Sequence, residues 1–262
     1  MDVPLVGEST EACSPTRFRT AALIVASLLP GALESIGGLD EVCATYTQAW
    51  LARDRGCTTY PQSRRSGTGL LLNAGAGTSG TRFVDCVIRR STNLHTEHNP
   101  AFNNSDVKHI TARVDSFDFL SDSPIPYMLG SVLASHLGNR SSGVLLSVRD
   151  PWAWMASRNK HKSSHCCSVP TAPCGTPVPL SSLNDVSLAR HFFAYQAWAA
   201  CISTSPQLGY DADHLFAFNI FDSTPANLTS RFFAALQRMP GVSPRLRDKG
   251  TFLKAWAACN TH

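Results

Sequence analysis

The chain alternates between short apolar runs and longer stretches in which apolar residues recur every three or four positions. The short runs predict strands and the longer stretches predict helices. The predicted strands are 70–73, 107–114, 143–148 and 215–221. The predicted helices are 39–53, 81–90, 125–137, 151–160, 186–203 and 226–238. Strands that alternate with helices indicate βαβ units, so the expected fold class is α/β: a parallel sheet as the middle of three layers.

A polar stretch divides the chain. Residues 55–69 are rich in Ser, Arg, Gly and Pro, which predicts a linker or a long loop. We therefore expect two units: an N-terminal extension over residues 1–66 and a main domain over residues 67–262.

The N-terminal extension contains an apolar run, residues 21–33, which follows Arg17 and Arg19 and is broken by Pro30. The run is too short to span a membrane, so we expect a buried helix. A targeting segment over residues 17–33 is the alternative. That alternative would place the protein in the secretory pathway or Golgi rather than the cytoplasm, and it leaves membrane association open.

Composition narrows the possible functions. Of the 262 residues, 43% are hydrophobic, which supports a sizeable core and excludes a disordered or collagen-like chain. The net charge of +4 is too small to indicate nucleic acid as a partner. This mild basicity suits a small, strongly anionic ligand.

The cysteines indicate no metal site. Nine is an odd number, so at least one thiol is unpaired within a monomer. His161, His165, Cys166 and Cys174 lie close together in a Pro-rich segment. Because no paired CxxC accompanies them, we expect loop thiols or a local disulfide there, and no bound metal.

A glycine-rich segment is the strongest local signal. The apolar run Leu70–Asn73 leads through Ala-Gly-Ala-Gly-Thr-Ser-Gly into the predicted helix that begins at Thr81. Backbone N–H groups at the start of a helix bind anions, and glycine lets a phosphate approach the backbone. The segment therefore predicts a phosphate-type site.

Several ligand classes fit such a loop. A P-loop kinase needs lysine where Thr81 stands, which disfavours it. Gly75, Gly77 and Gly80 match the dinucleotide pattern GxGxxG, but the polar segment before Glu97 does not look like the second strand that a dinucleotide fold requires. A glycine-rich turn that binds nothing is the remaining alternative.

A second motif supports another class. Ser79-Gly80-Thr81 resembles the 5′-phosphosulfate loop of sulfotransferases. The segment Val148–Pro151 ends a predicted strand, and Arg149 is followed eight positions later by Ser157. This arginine–serine pair resembles the motif with which that family holds a 3′-phosphate. Physically, arginine offers a fixed fork to phosphate and serine adds one hydrogen bond.

The resemblance implies a P-loop-like α/β fold and a sulfotransferase of the branch with a VRDP-type second motif. It implies 3′-phosphoadenosine 5′-phosphosulfate as co-substrate, hence an anionic adenosine nucleotide as partner, and no metal. The acceptor would be a hydroxyl or amine on a carbohydrate, lipid, phenol or peptide. The implied nucleotide-binding residues are Gly77, Thr78, Ser79, Gly80, Thr81, Arg82, Phe83, Arg149, Ser157 and Lys249. Lys249 enters through Arg-Asp-Lys-Gly, which resembles the family's C-terminal RKG element.

The chain departs from the family pattern at one position. Thr78 stands where the family carries lysine or arginine, so Arg82 becomes the candidate catalytic cation. A nucleotide-binding module with impaired catalysis is the alternative. For the base that takes the acceptor proton, the candidates are Asp122 and then Asp118, followed by Asp85, His95 and His109. Asp122 could equally form a turn or cap the helix that follows.

Overall fold

The protein is described from a computed structural model. The structure describes residues 13–51, 69–98, 114, 116–122, 125–135, 142–160, 168–171, 176–179, 184–221, 225–239 and 241–260. A five-stranded, all-parallel sheet lies between helices on both of its faces. This confirms the predicted α/β class.

The described elements alternate along the chain. The helices are α1 (Pro15–Ser27), α2 (Ala32–Ser35), α3 (Leu39–Leu51), α4 (Thr81–Ser91), α5 (Ile125–Ser135), α6 (Pro151–Lys160), α7 (Asp185–Ile202), α8 (Pro225–Arg238) and α9 (Lys249–Cys259). The strands are β1 (Leu71–Asn73), β2 (Thr96–His98), β3 (Phe119–Ser121), β4 (Gly143–Ser147), β5 (Ser168–Thr171), β6 (Thr176–Pro179) and β7 (Leu215–Phe218). The main sheet has the order β2-β3-β1-β4-β7, and β5 and β6 form a separate antiparallel pair.

The strands of the main sheet send alternate side chains to its two faces, as the pleat requires. Leu72, Val144 and Leu146 join the core formed with α1, α5 and α7. Leu71 and Leu145 join a second core, formed with α4, α8 and α9. Strands buried on both faces explain why β1 and β4 read as continuous apolar runs in the sequence.

Three predicted strands are confirmed with shorter bounds, as β1, β4 and β7. Two three-residue strands, β2 and β3, were not predicted. The expectation that the segment before Glu97 is no strand is wrong, because Thr96–His98 forms the edge strand β2. Its side chains are half-buried, which is why a polar sequence can fill it. The predicted strand 107–114 lies outside the described residues except for Val114.

The predicted helices are all present within a few residues, and α6 has the predicted bounds. Helix α9 was not predicted, although Phe252, Ala255, Trp256 and Cys259 have the spacing of a buried helix face. They pack in the second core.

The N-terminal segment shares the first core with the sheet. Phe18, Ala22 and Val25 of α1 are buried there, and Cys13 forms a disulfide with Cys201 at the end of α7. The first part of the apolar run, residues 21–27, thus lies in a helix that packs on the core, as expected, although Leu23 and Ile24 on its outer face are about half exposed. The proposed boundary at residues 66 and 67 lies outside the described residues, as does nearly all of the predicted linker.

In the described part of the chain, no helix is both long and apolar enough to cross a membrane.

A second disulfide joins α4 to α9, between Cys86 and Cys259. Cys43 on α3 is a free thiol. His161, His165, Cys166 and Cys174 lie outside the described residues, so the expectation for that cluster stays a prediction. The residues that are described contain no group of three or more His, Cys, Asp or Glu placed to hold a metal ion.

Candidate functional site

The glycine loop lies at the carboxyl edge of the sheet, where β1 ends. The chain leaves β1 toward the β2 side of the sheet and leaves β4, the neighbour of β1, toward the β7 side. Loops that diverge in this way open a crevice outside the carboxyl ends of the strands, which is where open α/β sheets bind ligands. The two predicted motifs therefore flank one crevice.

Short polar contacts make the glycine loop compact. The Gly75 N–H donates to Asn73 Oδ1 over 3.1 Å, and the Ser79 hydroxyl donates to the Ala76 carbonyl over 2.5 Å. Ser79 Oγ also lies 3.1 Å from Ser147 Oγ at the end of β4. A Cβ at Gly75 would come within 2.0 Å of Ser147 Oγ, so only glycine fits there.

The loop ends at a helix start without a side-chain cap. Gly80 is the N-cap residue of α4 with φ of 94°, and no side chain caps the helix at this position. The dipole of α4 gives this end a partial positive charge. An anion seated on the loop would meet that charge.

Two buried aromatic residues fix the loop from one side. Tyr195 of α7 donates its hydroxyl to the Ala74 carbonyl over 2.7 Å. Trp154 of α6 donates its indole N–H to the Gly77 carbonyl over 2.8 Å and stacks on Phe192, with ring centres 4.1 Å apart. The carbonyls of Ala74 and Gly77 are thus held by side chains from α6 and α7, which fixes the course of the loop.

Backbone strain concentrates at this edge. Thr78 has φ of 70° and Asp122 has φ of 68°, and these are the positive φ values found at non-glycine residues in the described ranges. For a β-branched residue such as threonine this conformation is unusual, with a cost of about 1–3 kcal/mol. Strain of this kind collects at ligand sites.

Arg149, the strand-end arginine of the second motif, reaches the glycine loop. Its backbone N–H donates to Gln196 Oε1 over 2.8 Å, and its guanidinium donates to the Thr78 carbonyl and lies 4.3 Å from the Phe221 ring centre. The buried Nε has no hydrogen-bond partner among the described residues. Burial lowers the pKa of the Arg149 guanidinium, and the Asp150 carboxylate opposes this shift.

Arg158 is a second cation over the loop, and the sequence reasoning missed it. Its Nη1 lies 2.9 Å from the position that a Cβ would take at Gly77, and its buried Nε has no partner among the described residues. It lies one turn of α6 after Trp154, with its guanidinium carbon 5.7 Å from that ring centre. The sequence offered two signals for Arg158: its position one helical turn after Trp154, and its place next to Ser157.

Asp122 lies at the carboxyl end of β3 and faces the loop from the other side. Its Oδ1 lies 3.3 Å from the same Cβ position at Gly77. Its Oδ2 accepts a hydrogen bond from the Thr81 hydroxyl over 3.1 Å and lies 3.4 Å from His98 Nε2. His98, at the end of β2, was also missed, because no strand was predicted there.

Two predicted site residues lie at the opposite, amino edge of the sheet. Asp118 precedes β3, pairs with Arg245 over 2.6 Å and accepts the His95 N–H. Lys249 begins α9, beyond a bridge between Thr92 and Leu246 at the far end of α4. Because the 11 residues of α4 span about 16 Å, the structure does not bring these two residues to the glycine loop.

The remaining predicted residues lie near the loop in different settings. Arg82 is exposed on the first turn of α4. Phe83 packs edge-on against Trp256, with ring centres 4.8 Å apart, and so belongs to the core of α4 and α9. Ser157 is half-buried on α6, next to Arg158.

The carboxyl edge therefore gathers the glycine loop, two arginines and one carboxylate around Gly77. The sequence matches no protein-family model and no curated protein.

Proposed function

We propose that the protein is a sulfotransferase that binds 3′-phosphoadenosine 5′-phosphosulfate at the carboxyl edge and transfers its sulfuryl group to a hydroxyl or amine. One observation carries the proposal. Arg149 Nε, Arg158 Nε and Thr78 Oγ1 are buried around one loop with no partner among the described residues. A buried donor left without an acceptor costs about 1–3 kcal/mol, so a site with several of them is complementary to an anion.

The residues fit a nucleotide with two anionic groups. The glycine loop and the uncapped start of α4 suit the 5′-phosphosulfate. Arg149 suits the 3′-phosphate, because its guanidinium now donates to the neutral Thr78 carbonyl, a weaker acceptor than phosphate. Gly77 adds no side chain to the space that faces Arg158 and Asp122, where the ligand must approach.

The transfer step needs one base and stabilisation of negative charge. The acceptor oxygen or nitrogen forms a bond to sulfur, while the bond breaks between sulfur and the oxygen that bridges it to the 5′-phosphate. The electron pair stays on that oxygen, and adenosine 3′,5′-bisphosphate leaves. Asp122 takes the acceptor proton and then releases it to water. Thr81 and His98 hold its carboxylate in place.

Strand order supports this class over a dinucleotide-binding enzyme. In the dinucleotide fold the second strand lies beside the first. Here β3 lies between β1 and β2. A P-loop kinase is disfavoured because Thr81 occupies the lysine position of its loop. We therefore assign the sheet to the P-loop-like sulfotransferase type as part of the proposal.

A second candidate is a nucleotide-binding module without transferase activity. Thr78 replaces the loop cation, and Arg82 is exposed on the first turn of α4. If neither Arg82 nor another cation serves the transferred group, binding would survive without catalysis.

The two disulfides bear on the compartment. Disulfides persist in oxidising compartments and are rare in the cytosol. Cys13–Cys201 and Cys86–Cys259 therefore favour the secretory pathway over the cytoplasm in this proposal.

The test is sulfuryl transfer itself. The purified protein is incubated with 3′-phosphoadenosine 5′-[³⁵S]phosphosulfate and a phenol, an oligosaccharide, a lipid alcohol and a tyrosine peptide in turn. We expect labelled product with one acceptor class and its loss in Asp122→Asn. Binding of the nucleotide without transfer or sulfate release would support the second candidate. Failure to bind the nucleotide would contradict both.

A further inference from the structure

The guanidinium of Arg158 lies over the glycine loop, close to Gly77. Its Nε is buried with no hydrogen-bond partner among the described residues, and its guanidinium carbon lies 5.7 Å from the centre of the Trp154 ring. Arginine in a half-buried position is ordinarily paired, since desolvation of its charge is costly. The position therefore suits an anionic acceptor that a bound ligand would bring.

The position of Arg158 is set by the loop. Trp154, one helical turn earlier, bonds the Gly77 carbonyl and stacks on Phe192. This ties α6 to the loop, so that Arg158 Nη1 comes within 2.9 Å of the site of a Cβ at Gly77. The missing side chain at Gly77 is what leaves room for the guanidinium.

We infer that Arg158 replaces the cation that the loop lacks at Thr78, and that it binds the terminal, transferred group of the nucleotide rather than its 3′-phosphate. The inference rests on the proposed function. Asp122 Oδ1 faces the same point above Gly77 and lies 3.3 Å from the position that a Cβ would take there. A cation at this position would bind the group that is transferred, and a carboxylate beside it would take the proton of the acceptor.

Arg82 is the competing candidate for this role. It is exposed on the first turn of α4, whereas Arg158 is half-buried with its Nε enclosed. A charge that is partly removed from water acts more strongly on a bound anion than one that is fully solvated. Arg158 is therefore the better placed of the two.

The experiment compares two ligands that differ by the sulfuryl group. Calorimetry measures the affinities for 3′-phosphoadenosine 5′-phosphosulfate and for adenosine 3′,5′-bisphosphate at one salt concentration. The proteins are the wild type, Arg158→Gln, Arg158→Lys, Arg82→Gln and, as a matched charge control, Arg90→Gln at the other end of α4. Melting temperatures are recorded for every variant.

We expect Arg158→Gln to weaken the phosphosulfate complex about 10- to 100-fold, as for the loss of a charged hydrogen bond. Its affinity for the bisphosphate should change less than about threefold. Arg158→Lys should recover part of the loss, because the charge stays and the fork does not. Arg90→Gln should leave both affinities unchanged.

Equal effects of Arg158→Gln on the two ligands, or no effect on either, would overturn the inference while leaving the proposed function standing. So would a larger loss in Arg82→Gln. A wild-type protein that binds neither ligand would contradict the proposed function itself.

Discussion

Charged side chains have different surroundings at the two edges of the parallel sheet. At the amino edge Asp118 pairs with Arg245, and Arg247 donates to Asn93 over 3.2 Å. At the carboxyl edge Arg149 and Arg158 each keep a buried Nε without a partner among the described residues. Natural proteins leave few such groups unpaired, and retain them where function requires it. The buried Ser91 hydroxyl at the amino edge also has no partner among the described residues, so the distinguishing feature of the carboxyl edge is that its unpartnered atoms include those of two cations. We take this as the mark of a binding edge.

The amino edge gives the largest expected loss of stability. Arg245→Ala removes the ion pair between Arg245 and the Asp118 carboxylate, which is only 6% exposed. Because the partner arginine is one-third exposed, we expect a loss of about 2–3 kcal/mol rather than the full cost of a buried pair. Denaturant unfolding measures it.

The control for Arg245→Ala is Arg247→Ala at the same edge. This arginine is exposed, so its removal should cost less than about 1 kcal/mol. If Arg245→Ala also weakens nucleotide binding, the separation between the two edges is wrong.

At the carboxyl edge, a substitution of Gly77 should affect nucleotide binding more than stability. An added Cβ would lie 2.9 Å from Arg158 Nη1 and 3.3 Å from Asp122 Oδ1, and both side-chain ends can move aside. Gly77→Ala should therefore fold with a change of less than about 1 kcal/mol and bind adenosine 3′,5′-bisphosphate about tenfold more weakly.

Gly250→Ala on α9 is the matched control for Gly77→Ala, since its Cβ would meet the Asp248 carboxylate at 3.0 Å, at the amino edge. Its nucleotide affinity should equal that of the wild type. Equal losses in the two alanine variants would show that the Gly77 effect is not local to the site.

Acid should slightly lower the free energy of unfolding through a histidine that lies behind the carboxyl edge. Burial lowers the pKa of His191 on α7, one residue before the Phe192 ring that supports Trp154. The unfolded chain then takes up the proton first, so stability is complete above the ordinary histidine pKa of about 6.5 and falls as the pH drops through it. Since the residue is partly exposed, we expect a few tenths of a kcal/mol.

Unfolding curves between about pH 5 and pH 8 for the wild type and His191→Gln test the last prediction. The variant should lose this part of the pH slope. An unchanged slope would mean that His191 titrates alike in the folded and unfolded states.

Strong apolar patterns made much of the fold predictable. The bounds of α6 were predicted from an opening proline and a polar end, and the wholly apolar run of β1 marked the central strand. The strands β2 and β3 were not predicted, because three residues are too few to show the alternation of a strand. The parallel character of the sheet still followed from the alternation of the longer elements, although its number of strands did not.

The missed strand β3 explains the partial success at the site. Asp118 precedes this strand and Asp122 follows it, so one sheet sends them to opposite edges. Without the strand, the sequence could not separate the two carboxylates. Arg158 and His98 escaped for another reason: their closeness to Gly77 and Asp122 depends on how α6 and β2 pack, which no local motif encodes.

The most direct test of the carboxyl edge as a nucleotide site is calorimetric binding of adenosine 3′,5′-bisphosphate to the wild type and to Arg149→Ala, with ATP–Mg²⁺ and NADP as comparison ligands. We expect selective binding of the bisphosphate that falls about 100-fold in the variant. The melting temperature should change little, because loss of the contacts with the Thr78 carbonyl and the Phe221 ring is offset by removal of the buried, unpartnered Nε. A folded wild-type protein that does not bind this ligand, or an Arg149→Ala variant that binds it as well as the wild type, would contradict the account.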